Sequence, residues 1–136
     1  MKQKIPAFIW VLLVVLGAVV VYRFGVLPSG SAGHHPEPRA AVTADAVQDA
    51  TRYAEVPPIA EIYAMAKQIP QVLDGLYCHC ECSKHSGHRS LLTCFESDHG
   101  AACDVCLEEA AIAYQMHSEG RSLDEIRSAI DARFAS

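Results

Sequence analysis

The sequence predicts an all-α protein: a small three- or four-helix domain with a long Cys/His-rich loop, preceded by one N-terminal transmembrane helix. Three observations predict it. The chain opens on a long uncharged, apolar run. Past position 57, apolar residues recur at helical spacing and no strand is signalled. All six cysteines fall between positions 78 and 106.

The opening run comes first. Lys2 and Lys4 precede the 18 uncharged residues Ile5 to Tyr22, and Arg23 follows. At helical rise that run spans about 27 Å, close to the hydrocarbon thickness of a bilayer. Including Phe24 to Leu27 lengthens it if Arg23 snorkels. Residues 1–27 are therefore read as the anchor, with the membrane contacted through residues 5–27. The lysines favour a cytoplasmic N-terminus and an extracytoplasmic C-terminal domain, periplasmic or on the cell surface. A cleaved signal peptide is the alternative, because Gly30-Ser31-Ala32 resembles a small-residue cleavage site. Both readings export the domain. No cysteine follows the apolar run, which excludes a lipoprotein anchor.

Residues 28–53 carry Ser, Gly, Pro, Ala and isolated charges with weak periodicity. They read as a flexible tether, and His34-His35 within it as polar tether residues. Residues 54–136 are left as the Cys/His-rich domain. A core of roughly 80 residues is thin, and such domains often need a disulfide or metal staple. The net charge of -5 argues against a nucleic-acid partner, whose phosphates want a basic surface.

Within the domain, Pro57-Pro58 can open a helix, and Ile59, Ile62, Tyr63, Ala66 and Ile69 form its apolar stripe. Pro70 ends it and starts a short second turn through Leu73, which Gly75 breaks. Tyr77 to Ser97 lacks periodicity and reads as an irregular loop. A second long helix is expected from about Ala101 to Glu119, with Leu107, Ala110, Ala111 and Tyr114 on its core face. Gly120 sits where a left-handed C-terminal cap belongs. Ser122-Leu123-Asp124-Glu125 is a capping box. It opens a last helix that buries Leu123, Ile126, Ile130 and Phe134.

The cysteines and histidines carry the chemistry. Cys78, Cys80 and Cys82 alternate, so an extended backbone points all three thiols one way and His79 and Glu81 the other. His85, His88 and Cys94 follow. His99 then precedes Cys103 and Cys106, which share a face at a helix start. A helix N-terminus favours the thiolate, the form that binds metal. Cys78, Cys80, Cys82, Cys94, Cys103 and Cys106, with His88 and His99, are the candidate metal ligands. His79, His85 and Asp98 are candidates to support them from behind. His117 reads as a helix C-terminal dipole partner. Soft sulfurs with imidazoles suit copper(I) or zinc far better than calcium or magnesium. The Cys-X-Cys-X-Cys spacing fits a zinc finger poorly, which favours copper(I) and leaves zinc as the alternative cofactor. Six thiolates also exceed one tetrahedral shell, leaving room for more than one ion.

Two other readings stay open. An exported domain with six cysteines can hold three disulfides. A bond inside Cys-X-Cys closes a small, strained ring, so the trio would pair with Cys94, Cys103 and Cys106. A thiol redox site at Cys103/Cys106 is the other, though no βαβ pattern precedes it. No acid–base pair or isolated nucleophile is visible, so no enzymatic turnover is expected.

Tyr77-Cys78-His79-Cys80-Glu81-Cys82, Gly87-His88, Cys94-Phe95, Asp98-His99-Gly100 and Cys103-X-X-Cys106-Leu107 together resemble the bacterial PCYCGC-motif proteins. Gly120 to Ile126 adds to the resemblance, which covers about residues 57 to 134. It implies an exported, membrane-tethered protein, commonly a lipoprotein, in a family with no assigned function. Tyr77 stands where the motif has Pro, His79 where it has Tyr, and Glu81 where it has Gly. Taken together, the sequence leads to an extracytoplasmic metal-binding protein for copper(I) storage, delivery or resistance. A metal-donor or metal-acceptor envelope protein would be its partner. The rival is an interaction module stapled by zinc or disulfides.

Overall fold

The structure is a computed structural model that describes residues 35–134. The expected anchor, residues 1–27, and the tether up to His34 lie outside the described residues. No helix among the described residues is long and apolar enough to cross a membrane. The regular elements among those residues are all helical, with no strand.

Helix α1 spans Pro57–Gln68, with proline in its first turn. Pro70 lacks the N–H that would continue the ladder, so Ile69 leaves helical geometry and α2, Pro70–Asp74, starts afresh. Tyr63, Ala66 and Ile69 are buried, and Ile59 and Ile62 pack beside them. The stripe read from the sequence thus faces the core.

The stretch expected to be an irregular loop contains two short helices, α3 at Cys82–His85 and α4 at Leu91–Phe95. Leu91, Leu92, Cys94 and Phe95 are all buried. A single turn that is apolar on nearly every side has no polar face, so periodicity cannot reveal it.

Helix α5 spans Asp104–Ser118, starting three residues after the expected Ala101. Gly100–Ala102 form a tighter 3₁₀ turn, and Cys103 is extended. The core face is also rotated. Cys106, Glu109, Ala110 and Ala113 are buried, while Leu107, Ala111 and Tyr114 are only partly covered. A glutamate is read as solvent-facing because carboxylates are almost never fully buried unpaired. This one is buried, and it turns the helix.

The end of α5 follows its sequence. Gly120 adopts φ 78°, and the Arg121 and Gly120 N–H groups bond the Met116 and His117 carbonyls. Helix α6 spans Leu123–Phe134. Glu125 accepts from the Ser122 N–H at 2.8 Å, and the Ser122 hydroxyl accepts from the Glu125 N–H at 3.3 Å. Ile126 and Ile130 are buried, with Leu123 and Phe134 partly so. Helix α5 packs across α1, and α6 packs back onto α5.

The expected flexible tether is packed from His35 onward. Val42 and Val47 enter the core, and short 3₁₀ turns form at Ala44–Ala46 and Ala50–Tyr53. The Gln48 N–H donates to the Phe95 carbonyl at 2.9 Å, and Arg127 Nη2 donates to the Pro36 carbonyl at 2.9 Å. Every one of these partners is distant in sequence, so local composition could not show the segment to be ordered. The folded unit therefore starts ahead of the expected boundary at 54.

Candidate metal centre

The first half of the site is a bent loop. The Leu91 N–H donates to the Leu76 carbonyl at 2.8 Å, tying the loop's entry to α4. The chain then turns rather than running extended. The Glu81 N–H bonds the Cys78 carbonyl at 3.1 Å, and Glu81 is left-handed at φ 60°. The extended arrangement expected for the Cys78, Cys80 and Cys82 trio is thus replaced by a tight bend. The sulfurs converge because the backbone curls around them.

That bend brings the Cα atoms of Cys80 and Cys82 to 5.6 Å, and the two sulfurs are joined as a disulfide. The expectation that no bond forms inside Cys-X-Cys is overturned. A left-handed residue between two cysteines swings their Cβ atoms toward each other, which an extended residue does not. Cys78, Cys94, Cys103 and Cys106 are free thiols, so the structure does not take the arrangement with all six paired.

The second half comes from α4 and the start of α5. Cys94 lies in α4, Cys106 in the first turn of α5, and Cys103 just before it. Gly100 lets this connection close down: a Cβ there would lie 3.0 Å from the Cys94 carbonyl oxygen and 3.1 Å from the Tyr63 hydroxyl. That hydroxyl donates to the Ser97 carbonyl at 2.8 Å and accepts from the Ala101 N–H at 3.0 Å. Buried Tyr63 therefore fixes the loop that carries His99.

The sulfurs form one group. Cys78 Sγ lies 3.2 Å from Cys80 Sγ and 3.3 Å from Cys106 Sγ. Cys80 and Cys106 are 3.6 Å apart, and Cys82 and Cys94 are 3.7 Å apart. Thiolates sharing one tetrahedral ion at the usual metal–sulfur distance sit about 3.8 Å apart. His99 Nε2 lies 3.0 Å from Cys82 Sγ, and His88 Nδ1 lies 3.3 Å from Cys94 Sγ. Cys103 completes a trio with Cys80 and Cys106. Cys78, Cys82, Cys94 and Cys106 are buried, and Cys80 and Cys103 are partly open to solvent. All eight candidate ligands are thus brought together, and the cluster can hold a metal ion.

Charge within the group does not sit where the helix start suggests. Hydrogen bonds from the Cys106 and Cys94 thiols hold the Cys78 thiol far below the usual range. Donating to Cys78 pushes the Cys106 thiol up. The Cys106 thiol, 3.3 Å away, favours ionisation of Cys78 on the loop over its own. Burial and the neighbouring His99 hold His88 below its ordinary value, favouring the neutral imidazole that ligates metals.

Behind the sulfurs lies a second set of polar groups. Glu109, one turn beyond Cys106, is fully buried. Its Oε1 accepts from the His79 backbone N–H at 3.0 Å and meets His79 Nδ1 at 2.6 Å. Its Oε2 has no partner. Burial, followed by the nearby Cys78 thiolate, pushes the carboxyl up to about 9. His79 Nε2 lies 3.2 Å from Asp131 Oδ1, which also meets His35 Nε2 at 2.9 Å. His35 Nδ1 accepts from the Tyr77 N–H at 2.9 Å, so its proton sits on Nε2. His79 thus supports the cysteine loop from the side away from the sulfurs. Glu109, Asp131 and His35 were missed from the sequence. The one available signal was the three-residue spacing of Cys106 and Glu109.

The remaining candidates lie at the edge of the cluster. His85 is exposed, with Nε2 3.2 Å from the Cys80 carbonyl oxygen, and it offers a ligand atom within 4.8 Å of the Cys80 and Cys82 sulfurs. Asp98 does not support His99. It instead accepts from Arg52 Nε at 2.6 Å and the Tyr53 hydroxyl at 2.8 Å, because those cations and donors arrive from the packed N-terminal segment. His117 is exposed in the last turn of α5.

A family of proteins of unknown function, named for its PCYCGC motif, matches residues 41–136. The chain belongs to that family. No curated protein and no solved structure matches it. The match begins inside the packed N-terminal segment, in keeping with a folded unit that includes Val42 and Val47. The geometry also explains the glycine of the motif. Its position is held here by Glu81 at φ 60°, a conformation that glycine adopts without a Cβ penalty.

Proposed function

We propose that this PCYCGC-family chain is a metal-binding protein tethered at the extracytoplasmic face of a membrane, handling copper(I) for storage, delivery or resistance. One observation carries the metal reading: five sulfurs and two imidazoles from separate segments meet at 3.0 to 3.7 Å in a largely buried pocket, and the Cys103 sulfur lies within 4.8 Å of those of Cys80 and Cys106. Copper(I) is favoured because the donors are mainly thiolate, the softest ligands a protein has. The tether rests on the sequence alone, on Lys2 and Lys4 ahead of an uncharged run of membrane-spanning length. Cys80 and Cys103, the two sulfurs open to solvent, are the natural point of entry. A donor or acceptor protein would exchange thiolate ligands there.

Full use of the site requires reduction of the Cys80–Cys82 bond. Two electrons and two protons, from an external dithiol, convert it to two thiols. The test is to purify the full chain reduced and without oxygen, then to measure bound metal by elemental analysis under competition from zinc. Copper retained in preference to zinc supports the reading. A protein that keeps no metal and stays folded after chelation, yet unfolds on reduction, would instead be a disulfide-stapled module. The Cys80–Cys82 pair is the observation that favours that second reading.

A further inference from the structure

The eight donors do not surround one point. They divide into two pockets with a common edge. Cys80, Cys103 and Cys106 form a sulfur-only set, which Cys78 joins through its contacts with Cys80 and Cys106. Cys82, Cys94, His88 and His99 form a second set, in which all four donor atoms lie within 4.8 Å of one another. Cys82 and Cys94 also group with Cys78 and Cys106, so this pair faces both pockets. The two imidazoles stand on the far side of it. Their rings meet edge to face at 4.5 Å.

We infer that the reduced centre takes two ions of different class: copper(I) in the sulfur-only pocket, and a tetrahedral divalent ion of the zinc type at Cys82, Cys94, His88 and His99. This rests on the metal reading above and divides that site in two. Donor type decides the class of the second ion, since two sulfurs and two imidazole nitrogens are a common tetrahedral zinc set, whereas the other pocket offers only soft sulfurs, which copper(I) accepts. Cys82 and Cys94 are fully buried, and as two thiolates with two neutral imidazoles they carry a charge that a divalent cation cancels.

The test uses the full chain, reduced and handled without oxygen. It is first saturated with copper(I), then titrated with cobalt(II) as a coloured substitute for zinc. The expected result is one further equivalent of cobalt, with the intense visible bands of tetrahedral sulfur–nitrogen coordination and copper retained. The double variant His88→Gln/His99→Gln should lose those bands and keep its copper, with helicity by circular dichroism as the control for folding. Four results would overturn the inference: copper-loaded protein that takes no cobalt, cobalt that displaces the copper, a double variant that still shows the bands, or one that folds yet loses copper and cobalt together. A wild-type protein that binds neither ion would instead overturn the metal reading itself.

Discussion

Asp74 and Glu109 are both fully buried carboxylates, and they sit in opposite states. Asp74 ends α2 and is surrounded by donors. It accepts from the Arg39 backbone N–H at 2.7 Å, Arg39 Nη2 at 2.9 Å, Arg89 Nη1 at 2.8 Å and the Ser90 hydroxyl at 3.0 Å. Burial pushes its pKa up, but the Arg39 and Ser90 bonds outweigh that and hold it below its ordinary value. Glu109 has one donor residue, His79, and one oxygen with none. Burial wins there, and the carboxyl is held neutral up to about 9. The contrast teaches that partners, not depth, decide whether a buried acid is charged. It also separates scaffold from site. Asp74 clamps the N-terminal segment to the helices with every oxygen used. Glu109 leaves hydrogen-bonding capacity unfilled beside the sulfur cluster.

The largest way to break this contrast is Asp74→Ala. Arg39 and Arg89 are partly exposed and can rehydrate, so the loss should be about 3 kcal/mol, the low end for breaking a buried pair. Urea unfolding of the reduced, metal-free chain at pH 7 measures it, and metal bound per folded molecule should not change. A loss below about 1 kcal/mol would show that Asp74 is not the clamp.

The two acids should also oppose each other in pH dependence. Asp74 has a lowered folded pKa, so its contribution is present above the unfolded value near 3.8 and is lost as pH falls below it. Glu109 has a raised one, so folding favours its neutral form. Stability should therefore fall as pH rises from 4.5 toward about 9. Glu109→Gln removes that slope. The variant should gain on the order of 2 kcal/mol at pH 8 and almost nothing at pH 4, read from unfolding midpoints across the range. An unchanged slope would mean that another group titrates there.

The smallest effect sharpens the contrast by testing backbone strain in the site. Glu81→Gly restores the residue of the family motif at a left-handed position. It gives up only an exposed ion pair with Lys84. The gain should be about 0.5–1 kcal/mol after the extra flexibility of glycine is counted. A destabilised variant would show that Glu81 does more than tolerate its conformation.

Helix α1, the break at Pro70, the capped end of α5 and the start of α6 were legible in the order of residues alone. These rest on proline, glycine and capping-box chemistry that acts within four or five residues. The sequence also singled out the cluster that could hold a metal ion, because soft and borderline donors crowd a short stretch. Only the tertiary structure decided their grouping. The meeting of Cys78 with Cys106, and of His88 and His99 with Cys94 and Cys82, depends on how separate segments pack. The same holds for His35, Glu109 and Asp131, which lie far apart along the chain and meet only after α5 and α6 have packed. Local signals encode local hydrogen bonds. Desolvation and charge pairing arise between segments, so they exist only once the chain has closed on itself.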